Sequence, residues 1–219
     1  MTYPHPITLD ASDAPLDCPR CPRLQAFRDA NRAKFPDYFN APVPSFGPRT
    51  CRILVLGLAP GLKGANCSGR PFTGDWAGDL LYATLTKFGL AHGRYDRRID
   101  DGVTLHDLRI ANAVRCVPPE NKPTTQEIKT CQTFLHAELA GLPNLRAVLA
   151  LGTIAHGALL TARGLRKSHC KFEHGKIHQL PDGLLLADSY HCSRYNTNTG
   201  RLTPDMFERV FETLLAELG

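Results

Sequence analysis

The sequence has no apolar run long enough to cross a membrane. Its longest apolar stretch lies around residues 147–154, far short of the roughly 20 residues that a membrane-spanning helix needs. The N-terminal residues MTYPHPITLDASD lack a basic start and an apolar segment, so we expect no secretory signal and a cytoplasmic location. Internal repeats are also absent. The 18 glycines and 17 prolines are spread through the chain, which excludes collagen-like and low-complexity proteins.

Composition and charge describe an ordinary globular chain with a mild basic excess. Of its 219 residues, 42% are hydrophobic and 21% are charged, which predicts one domain over residues 1–219. We expect a monomer, because no heptad pattern is present. The 26 Lys and Arg residues outnumber the 21 Asp and Glu residues, for a formal net charge of +5. This excess suits a polyanionic partner, but a solvated surface explains it as well.

After an irregular, proline-containing segment at residues 1–50, apolar runs alternate with helical patterns. Strands are predicted at residues 52–57, 107–114, 146–151, 176–180 and 184–190. Helices are predicted at residues 76–88, 125–142, 153–163 and 204–218, the last with Thr203 as its N-cap. Strands that are apolar on both faces and alternate with helices predict an α/β three-layer sandwich, in which helices flank a central, mostly parallel sheet of four or five strands. The functional residues of such sheets lie in the loops that follow the strands.

Eight cysteines in a chain expected in a reducing compartment point to a metal rather than to disulfides. Cys18 and Cys21 form a CxxC loop that can place two thiolates on one ion or cluster. Cys116 follows a predicted strand and Cys131 lies in a predicted helix, and these two are the candidates to complete a four-thiolate site. Zinc and an iron–sulfur cluster both accept four thiolates, and one CxxC pair rather than two favours the cluster. Alternatively, Cys116 and Cys131 are ordinary buried thiols.

The loop after the first predicted strand contains glycines, an aromatic ring and a carboxylate. Its sequence GLAPGLKG at residues 57–64 departs from the phosphate-binding pattern GxxxxGK(S/T), because Leu62 and Gly64 stand where Gly and Ser or Thr are required. Phe72 and Asp75 follow in the same loop and suit a flat, polar ligand. Alternatively, Phe72 is a core ring and Asp75 caps the helix predicted at residues 76–88.

Two later loops add polar candidates. Asn112 lies inside an apolar strand, where its amide must be satisfied and is able to read the edge of a base. The segment SYHCSRYNTNTGR at residues 189–201 places His191 just after a strand end, among hydroxyl and arginine side chains that suit phosphates. A single histidine in such a place is more often structural. His156 lies on a predicted helix without polar companions and is expected in the core or on the surface.

Together, these motifs resemble the uracil-DNA glycosylase superfamily, in its iron–sulfur branch and there in family 5. The resemblance covers most of the chain, and it rests on the order and spacing of motifs that are weak one by one. They are CPRC at residues 18–21, GLAPG at 57–61, GRPFTGD at 69–75, NAVRCVPP at 112–119, Cys131, and HCSRYN at 191–196 with TGRL at 199–202. The resemblance implies an enzyme that hydrolyses the N-glycosidic bond of uracil in DNA, and of other deaminated bases such as hypoxanthine. It also implies that Cys18, Cys21, Cys116 and Cys131 hold a structural 4Fe–4S cluster.

The chemistry of such an enzyme gives each candidate an expected role. A base must leave the duplex before its bond can be cut, so Phe72 is expected to stack on it and Asn112 to bond its edge. Gly57 and Ala59 are expected in the same pocket. His191 is expected to donate a hydrogen bond to the base oxygen that gains negative charge. Tyr195 is the candidate wedge for the vacated stack. The other expected contacts with DNA are Lys63, Ser193, Arg194, Asn196 and Arg201.

One departure concerns the attacking water. Related families carry Asp, Asn or Glu in the Gly-x-x-Pro loop to position this water, whereas family 5 has Ala, as here at Ala59. Asp75 is then the nearest carboxylate in the motifs. We expect it to orient the water or to stabilise a sugar cation formed as the bond breaks.

Two other functions remain open from the sequence. A non-catalytic nucleic-acid-binding module would explain the basic excess and the missing carboxylate at position 59. A zinc-stabilised protein-interaction domain would explain the cysteines, but not the convergence of Phe72, Asn112 and His191 on one sheet edge.

Overall fold

The computed structural model describes residues 7–219 and contains a central sheet of five strands. These strands are β1 (Ile53–Gly57), β4 (Leu108–Asn112), β5 (Ala147–Leu151), β6 (Ile177–Gln179) and β7 (Leu185–Ser189). A separate antiparallel pair is formed by β2 (Ala91–His92) and β3 (Thr104–Leu105). The helices are α1 (Pro22–Lys34), α2 (Ala65–Ser68), α3 (Trp76–Lys87), α4 (Thr125–Ala140), α5 (Thr153–Ala162), α6 (Arg194–Asn198) and α7 (Pro204–Leu218).

The strand order of the sheet is β4-β1-β5-β7-β6, with the first four strands parallel and β6 antiparallel to β7. This order confirms the predicted, mostly parallel sheet. Parallel strands point the same way, so the carboxyl ends of β1, β4, β5 and β7 lie at one edge. Gly57 pairs with Asn112, and Leu151 with Ser189. The loops that follow these four residues therefore begin side by side.

Helices cover both faces of the sheet. Successive residues of β1 point to opposite faces, and all five are buried. Ile53 and Val55 pack into a cluster with apolar residues of α3 and α7, whereas Leu54 and Leu56 pack into a second cluster with residues of α4 and α5. A central strand that is apolar on both faces is typical of a parallel sheet between two helical layers. The predicted α/β three-layer sandwich is confirmed.

Local capping sets the ends of the predicted helices. The Thr203 hydroxyl accepts a hydrogen bond from Met206 N at 3.2 Å, so α7 begins at Pro204 as predicted. In α4, Thr124 and Glu127 form a reciprocal capping box. This helix ends at Ala140 rather than at residue 142, because Gly141 follows it.

The prediction of an irregular segment over residues 1–50 is wrong for part of it. Residues 1–6 lie outside the described residues, and Pro22–Lys34 form α1 directly after the CxxC loop. Pro22 occupies the first turn, where its missing N–H costs nothing. Leu24 packs α1 against Val114 and Cys131. The N-terminal segment thus contributes a helix beside the predicted metal ligands.

A buried ionic network also joins the N-terminal segment to the sheet. Glu138 of α4 is fully buried and pairs with Arg109 and, at 3.0 Å, with Arg115. The Ser12 hydroxyl donates to the same carboxylate at 2.8 Å. Burial alone would raise the pKa of Glu138, but the charges of Arg115 and Arg109 hold this pKa below its usual value. The carboxylate therefore stays ionised and fixes residues around Ser12 against the sheet.

The prediction of one domain over residues 1–219 includes six residues outside the described part and stays a prediction. Within residues 7–219, no helix has the length and hydropathy needed to cross a membrane.

Candidate active site

One cleft at the carboxyl edge of the sheet brings together residues from three of the predicted loops. The loop after β1 contributes Ala59, Phe72 and Asp75, β4 contributes Asn112, and the loop after β7 contributes His191. Its remaining lining residues are Pro60, Gly61, Ala65 and Ala77. The sequence prediction that Phe72, Asn112 and His191 face one sheet edge is therefore matched by their positions.

Gly57 lies where the Phe72 ring and the Asn112 amide come close together. It is the last residue of β1 and pairs with Asn112 in the sheet. A β-carbon at residue 57 would lie 2.8 Å from Cζ of Phe72 and would collide with Oδ1 of Asn112. Glycine is therefore required here for space, and the Asn112 amide, which is 3% exposed, lies against the strand end.

Phe72 presents its ring to the cleft from a strained backbone. Its φ of +53° lies in the left-handed region, which is costly for a residue with a side chain. The Tyr95 hydroxyl donates a hydrogen bond to the Phe72 carbonyl oxygen at 3.1 Å. The ring stacks beside the His191 imidazole, with centroids 5.8 Å apart and planes 28° apart. Phe72 is thus both a largely buried ring and a wall of the cleft, so its two sequence interpretations are compatible.

Asp75 uses its two carboxylate oxygens differently. Oδ1 accepts a hydrogen bond from Gly78 N at 3.4 Å and caps α3. Oδ2 faces the glycine loop, because a β-carbon at Gly61 would lie 3.1 Å from it and one at Gly64 would collide with it. Burial raises the pKa of Asp75 above its usual value. The carboxylate is therefore a structural cap that also lines the cleft.

His191 lines the cleft beside Phe72 with a neutral imidazole. Burial lowers its pKa to about 4, so the ring is uncharged at neutral pH. Within residues 7–219, its buried Nδ1 has no hydrogen-bond partner. The Asn196 amide donates to the His191 carbonyl oxygen at 2.8 Å, which fixes the main chain at this position.

The residues predicted to contact DNA lie outside the cleft lining, around its mouth. Lys63, Arg194, Tyr195 and Arg201 are exposed, with Tyr195 at 71%. Ser193 caps α6 by accepting from Asn196 N at 3.4 Å. Contacts with a duplex require exposed side chains. The six predicted DNA contacts stay predictions; they are Lys63, Ser193, Arg194, Tyr195, Asn196 and Arg201.

The four cysteines predicted as ligands line one small cavity between α1, α4 and the end of β4. Cys18 and Cys21 come from the loop directly before α1, Cys116 from the loop after β4, and Cys131 from the middle of α4. Burial raises the pKa of the Cys116 thiol to about 12, and repulsion from the other three sulfur atoms acts in the same direction. The amide of Arg115 donates to the Cys131 sulfur at 3.4 Å. Ala59 packs against this group, so the cavity adjoins the cleft loop.

Comparison with known proteins identifies the family. The profile of the Uracil DNA glycosylase superfamily matches residues 44–215, which include every cleft residue. The chain belongs to the uracil-DNA glycosylase superfamily. It is 46% identical over 198 residues to a type-5 uracil-DNA glycosylase from Thermus thermophilus, covering 88% of this chain and 90% of the relative.

Other glycosylases of the superfamily are similar over much of the chain. A type-5 enzyme from Pyrobaculum aerophilum is 38% identical over 208 residues, which cover 93% of this chain and 90% of that protein. A type-4 uracil-DNA glycosylase from the same organism is 29% identical over 156 residues, 71% of each chain. The resemblance seen in the motifs is confirmed.

The glycosylase braces its Phe72 loop with residues that the sequence analysis missed. Arg70 is buried and forms a bidentate pair with Asp101 at 2.8 and 2.7 Å. Its guanidinium also lies 5.3 Å from the Tyr82 ring centroid and 5.9 Å from that of Tyr95. The only sign of this role in the sequence was that Arg70 stands inside a glycine-rich loop. Its partners Tyr82, Tyr95 and Asp101 lie 12 to 31 residues further along the chain, so no local pattern identifies them.

His156 of the glycosylase has polar partners, so the expectation of none was wrong. Its Nδ1 lies 2.7 Å from Asp188 Oδ1, and its Nε2 lies 3.0 Å from the Cys170 carbonyl oxygen. Burial opposes protonation, yet the hydrogen bond with Asp188 raises the pKa of His156 above its usual value. The pair joins α5 to β7 in the core.

Proposed function

We propose that the cleft between β1, β4 and β7 is the site at which this DNA repair enzyme removes uracil from DNA. Superfamily membership gives the activity, which is hydrolysis of the N-glycosidic bond. One observation supports the location above all: an aromatic ring, an amide, a carboxylate and a neutral imidazole line the same cleft. These groups are the ones that a flipped base and its departing charge require.

Recognition of the base falls to Phe72 and Asn112. The ring offers a flat face at the cleft wall, and the amide offers both a donor and an acceptor to the edge of uracil. Gly57 lets the two groups lie close together. Ala59 leaves room at the loop where a longer side chain would reach in. We extend the proposal to other deaminated bases such as hypoxanthine, which offer the amide a similar carbonyl edge.

His191 is assigned to the negative charge that develops on the base. Breaking the bond between C1′ and the base nitrogen leaves the bonding electron pair on uracil, and the charge spreads to its oxygens. A neutral imidazole with a depressed pKa donates to such an oxygen without giving up its proton. Its buried nitrogen without a partner would gain a hydrogen bond when the base arrives.

Asp75 is assigned to the sugar side of the reaction. The carboxylate stabilises the cation that forms at C1′ or accepts a proton from the attacking water, whose oxygen becomes the hydroxyl of the abasic sugar. Oδ2 lies over Gly61 and Gly64, in the part of the cleft that the loop after β1 forms. The excised base anion takes up one proton from solvent, and Asp75 returns to solvent the proton that it accepted, so that the reaction consumes one water.

The residues around the mouth of the cleft are assigned to binding the DNA duplex. Tyr195 is the wedge for the vacated stack, and Lys63, Ser193, Arg194, Asn196 and Arg201 contact the DNA around the flipped nucleotide. We propose that the enzyme is a cytoplasmic monomer, as the sequence predicts.

A structural 4Fe–4S cluster is assigned to Cys18, Cys21, Cys116 and Cys131. The donor chemistry fits, since four thiols line one cavity and an amide already donates to one sulfur. Among residues 7–219, no three of these sulfurs lie within 4.8 Å of one another. A single zinc ion with bonds of about 2.3 Å would hold its sulfurs about 3.8 Å apart, whereas a cluster of several irons is larger. When bound, the cluster would hold α1 and α4 together beside the cleft loop.

Excision from duplex DNA tests the assignment of the cleft. The purified protein is incubated with a duplex containing one uracil, and alkali then cuts the strand at abasic sites. We expect the Asp75→Asn variant to lower the single-turnover rate by tens-fold or more, and His191→Ala to lower it about a hundredfold with nearly unchanged DNA affinity. A parallel duplex with hypoxanthine tests the wider substrate range.

The control is Asp29→Asn in α1. Asp29 lies 3.5 Å from Arg32 on the surface and does not line the cleft, so its amide variant should excise uracil at the wild-type rate. Full activity of Asp75→Asn would remove this carboxylate from the mechanism. DNA binding without strand scission by the wild-type protein would leave a non-catalytic binding module.

A further inference from the structure

Trp76 connects the start of α3, where Asp75 is the N-cap, with α6, the helix that follows His191. It is the first residue of α3, directly after Asp75, and the only tryptophan of the chain. Its indole N–H donates a hydrogen bond to the Thr197 hydroxyl of α6 at 2.9 Å. The Arg194 guanidinium lies 5.7 Å from the centroid of the indole. The indole is still 45% exposed, so the connection lies at the surface of the mouth.

The partner helix, α6, carries the other half of the site. It has five residues, too few to be stable without outside contacts. Within it, Asn196 holds the His191 carbonyl oxygen and Tyr195 projects outward at 71% exposure. The Thr197 hydroxyl donates back to the Ser193 carbonyl oxygen at 3.3 Å while it accepts from Trp76. A displacement of α6 would therefore move His191 and Tyr195 together.

We propose that Trp76 is a positioning residue that sets the separation between the Asp75 side and the His191 side of the cleft. It acts through Thr197 and Arg194 on α6 and does not touch the base. The inference rests on the proposed roles of Asp75 and His191. Because Trp76 follows the N-cap of α3 in the chain, the indole transmits the position of that helix end to α6. The bridge holds both walls in place before the base enters.

A double-mutant cycle tests the bridge. Trp76→Phe keeps an aromatic ring under Arg194 and loses the indole N–H, whereas Thr197→Val keeps the shape and loses the hydroxyl. We expect each variant to lower the single-turnover rate of uracil excision about fivefold, with a less than twofold change in affinity for product duplex carrying an abasic site. The double variant should be no slower than either single variant, because all three lose the same hydrogen bond.

Thr213→Val is the matched control. The Thr213 hydroxyl also donates to a carbonyl oxygen four residues back, that of Arg209 at 2.9 Å, on an exposed face of α7. Thr213→Val therefore removes a comparable hydroxyl from a helix without affecting the Trp76 indole. Its excision rate should equal that of the wild-type protein.

The fluorescence of the single tryptophan gives a readout that is independent of excision. Loss of the Thr197 hydroxyl should free the indole and raise the acrylamide quenching constant by about half, while Thr213→Val leaves it unchanged. Unchanged quenching in Thr197→Val would refute the bridge. Changed quenching with wild-type excision, or rate losses that multiply in the double variant, would refute the positioning role. A wild-type protein without excision activity would instead contradict the proposed function.

Discussion

At the scale of single residues, the cleft is built from groups that each serve two purposes. Asp75 caps α3 with one oxygen and faces the glycine loop with the other. Phe72 fills core space and forms a wall. For both, the sequence offered a structural and a functional interpretation as alternatives; the structural one is observed, and the same side chain also lines the cleft. A pattern of residue types cannot show this, because the distinction depends on where each atom of one side chain points.

The pKa of His191 predicts how the stability of the protein depends on pH. The folded pKa of about 4 lies below the value of 6.5 for an exposed imidazole, so the unfolded chain binds more protons between these values. The contribution of His191 to the free energy of unfolding should therefore fall as the pH drops from 6.5 to 4. Between pH 7.5 and pH 5 we expect a loss of up to about 2 kcal/mol.

Urea unfolding at both pH values measures this effect, with His191→Gln as the comparison. The variant cannot titrate here, so its loss of stability should be smaller than that of the wild-type protein by the stated amount. Equal losses in the two proteins would show that the imidazole is not desolvated in the folded state. Over the same range, protonation of His191 should not limit excision, since the ring stays neutral down to about pH 5.

At the scale of elements, the sequence predicted those with a strong apolar pattern. The helix at residues 204–218 was predicted with its cap and both ends, since Phe207 and Phe211 recur at helical spacing on its buried face. In α1, by contrast, the buried face holds Leu24 together with Arg28 and Asn31. A helix that buries polar side chains shows no helical periodicity of apolar residues in its sequence. The same holds for α6, which has five residues, none of them buried.

The proposed cluster should determine how α1 and α4 pack. The Cys131→Ser variant is expected to lose bound iron and to melt at least about 5 °C lower than the wild-type protein, because one missing thiolate leaves the ligand set incomplete. Iron and sulfide analysis of the purified protein, together with thermal unfolding, measures both effects.

Cys67→Ser is the appropriate control for this change. Cys67 lies in α2, outside the cavity that the four cysteines line, so its serine variant should keep the iron content of the wild-type protein. If the purified wild-type protein contains one zinc ion and no iron, the assignment of a cluster is wrong and a mononuclear thiolate site replaces it.

At the scale of the whole molecule, a mostly parallel sheet was predictable from the sequence, but the attachment of the N-terminal segment was not. The alternation of apolar strands with helices leaves few arrangements, and the parallel sheet then brings Gly57, Asn112 and the residues after Ser189 to one edge. The attachment depends on ion pairs between residues about 100 positions apart, such as Arg109 with Asp10. Charged residues at that separation carry no local pattern that would identify them as partners.

Glu138 should be the most sensitive position of this attachment. Glu138→Gln leaves Arg109 and Arg115 buried without a full counter-charge, and removal of one partner of a buried ion pair costs about 3–5 kcal/mol. Chemical denaturation should show a loss in this range. The comparison is Glu120→Gln, whose pair with Lys122 is more than four-fifths exposed on both side chains, and which should change stability by less than about 0.5 kcal/mol.

The bracing of Phe72 bears on how the enzyme examines DNA. Its left-handed backbone is held by Tyr95 from outside the loop, and the neighbouring Arg70 is clamped by Asp101. If Phe72 stacks on the base as proposed, a wall fixed in this way would keep its position, and selection would take place while the nucleotide leaves the duplex and not by adjustment of the protein around it. The work of distortion then falls on the DNA, where a mispaired uracil yields more readily than a paired base. Scanning along undamaged duplex would thus require no rearrangement of the pocket at each step.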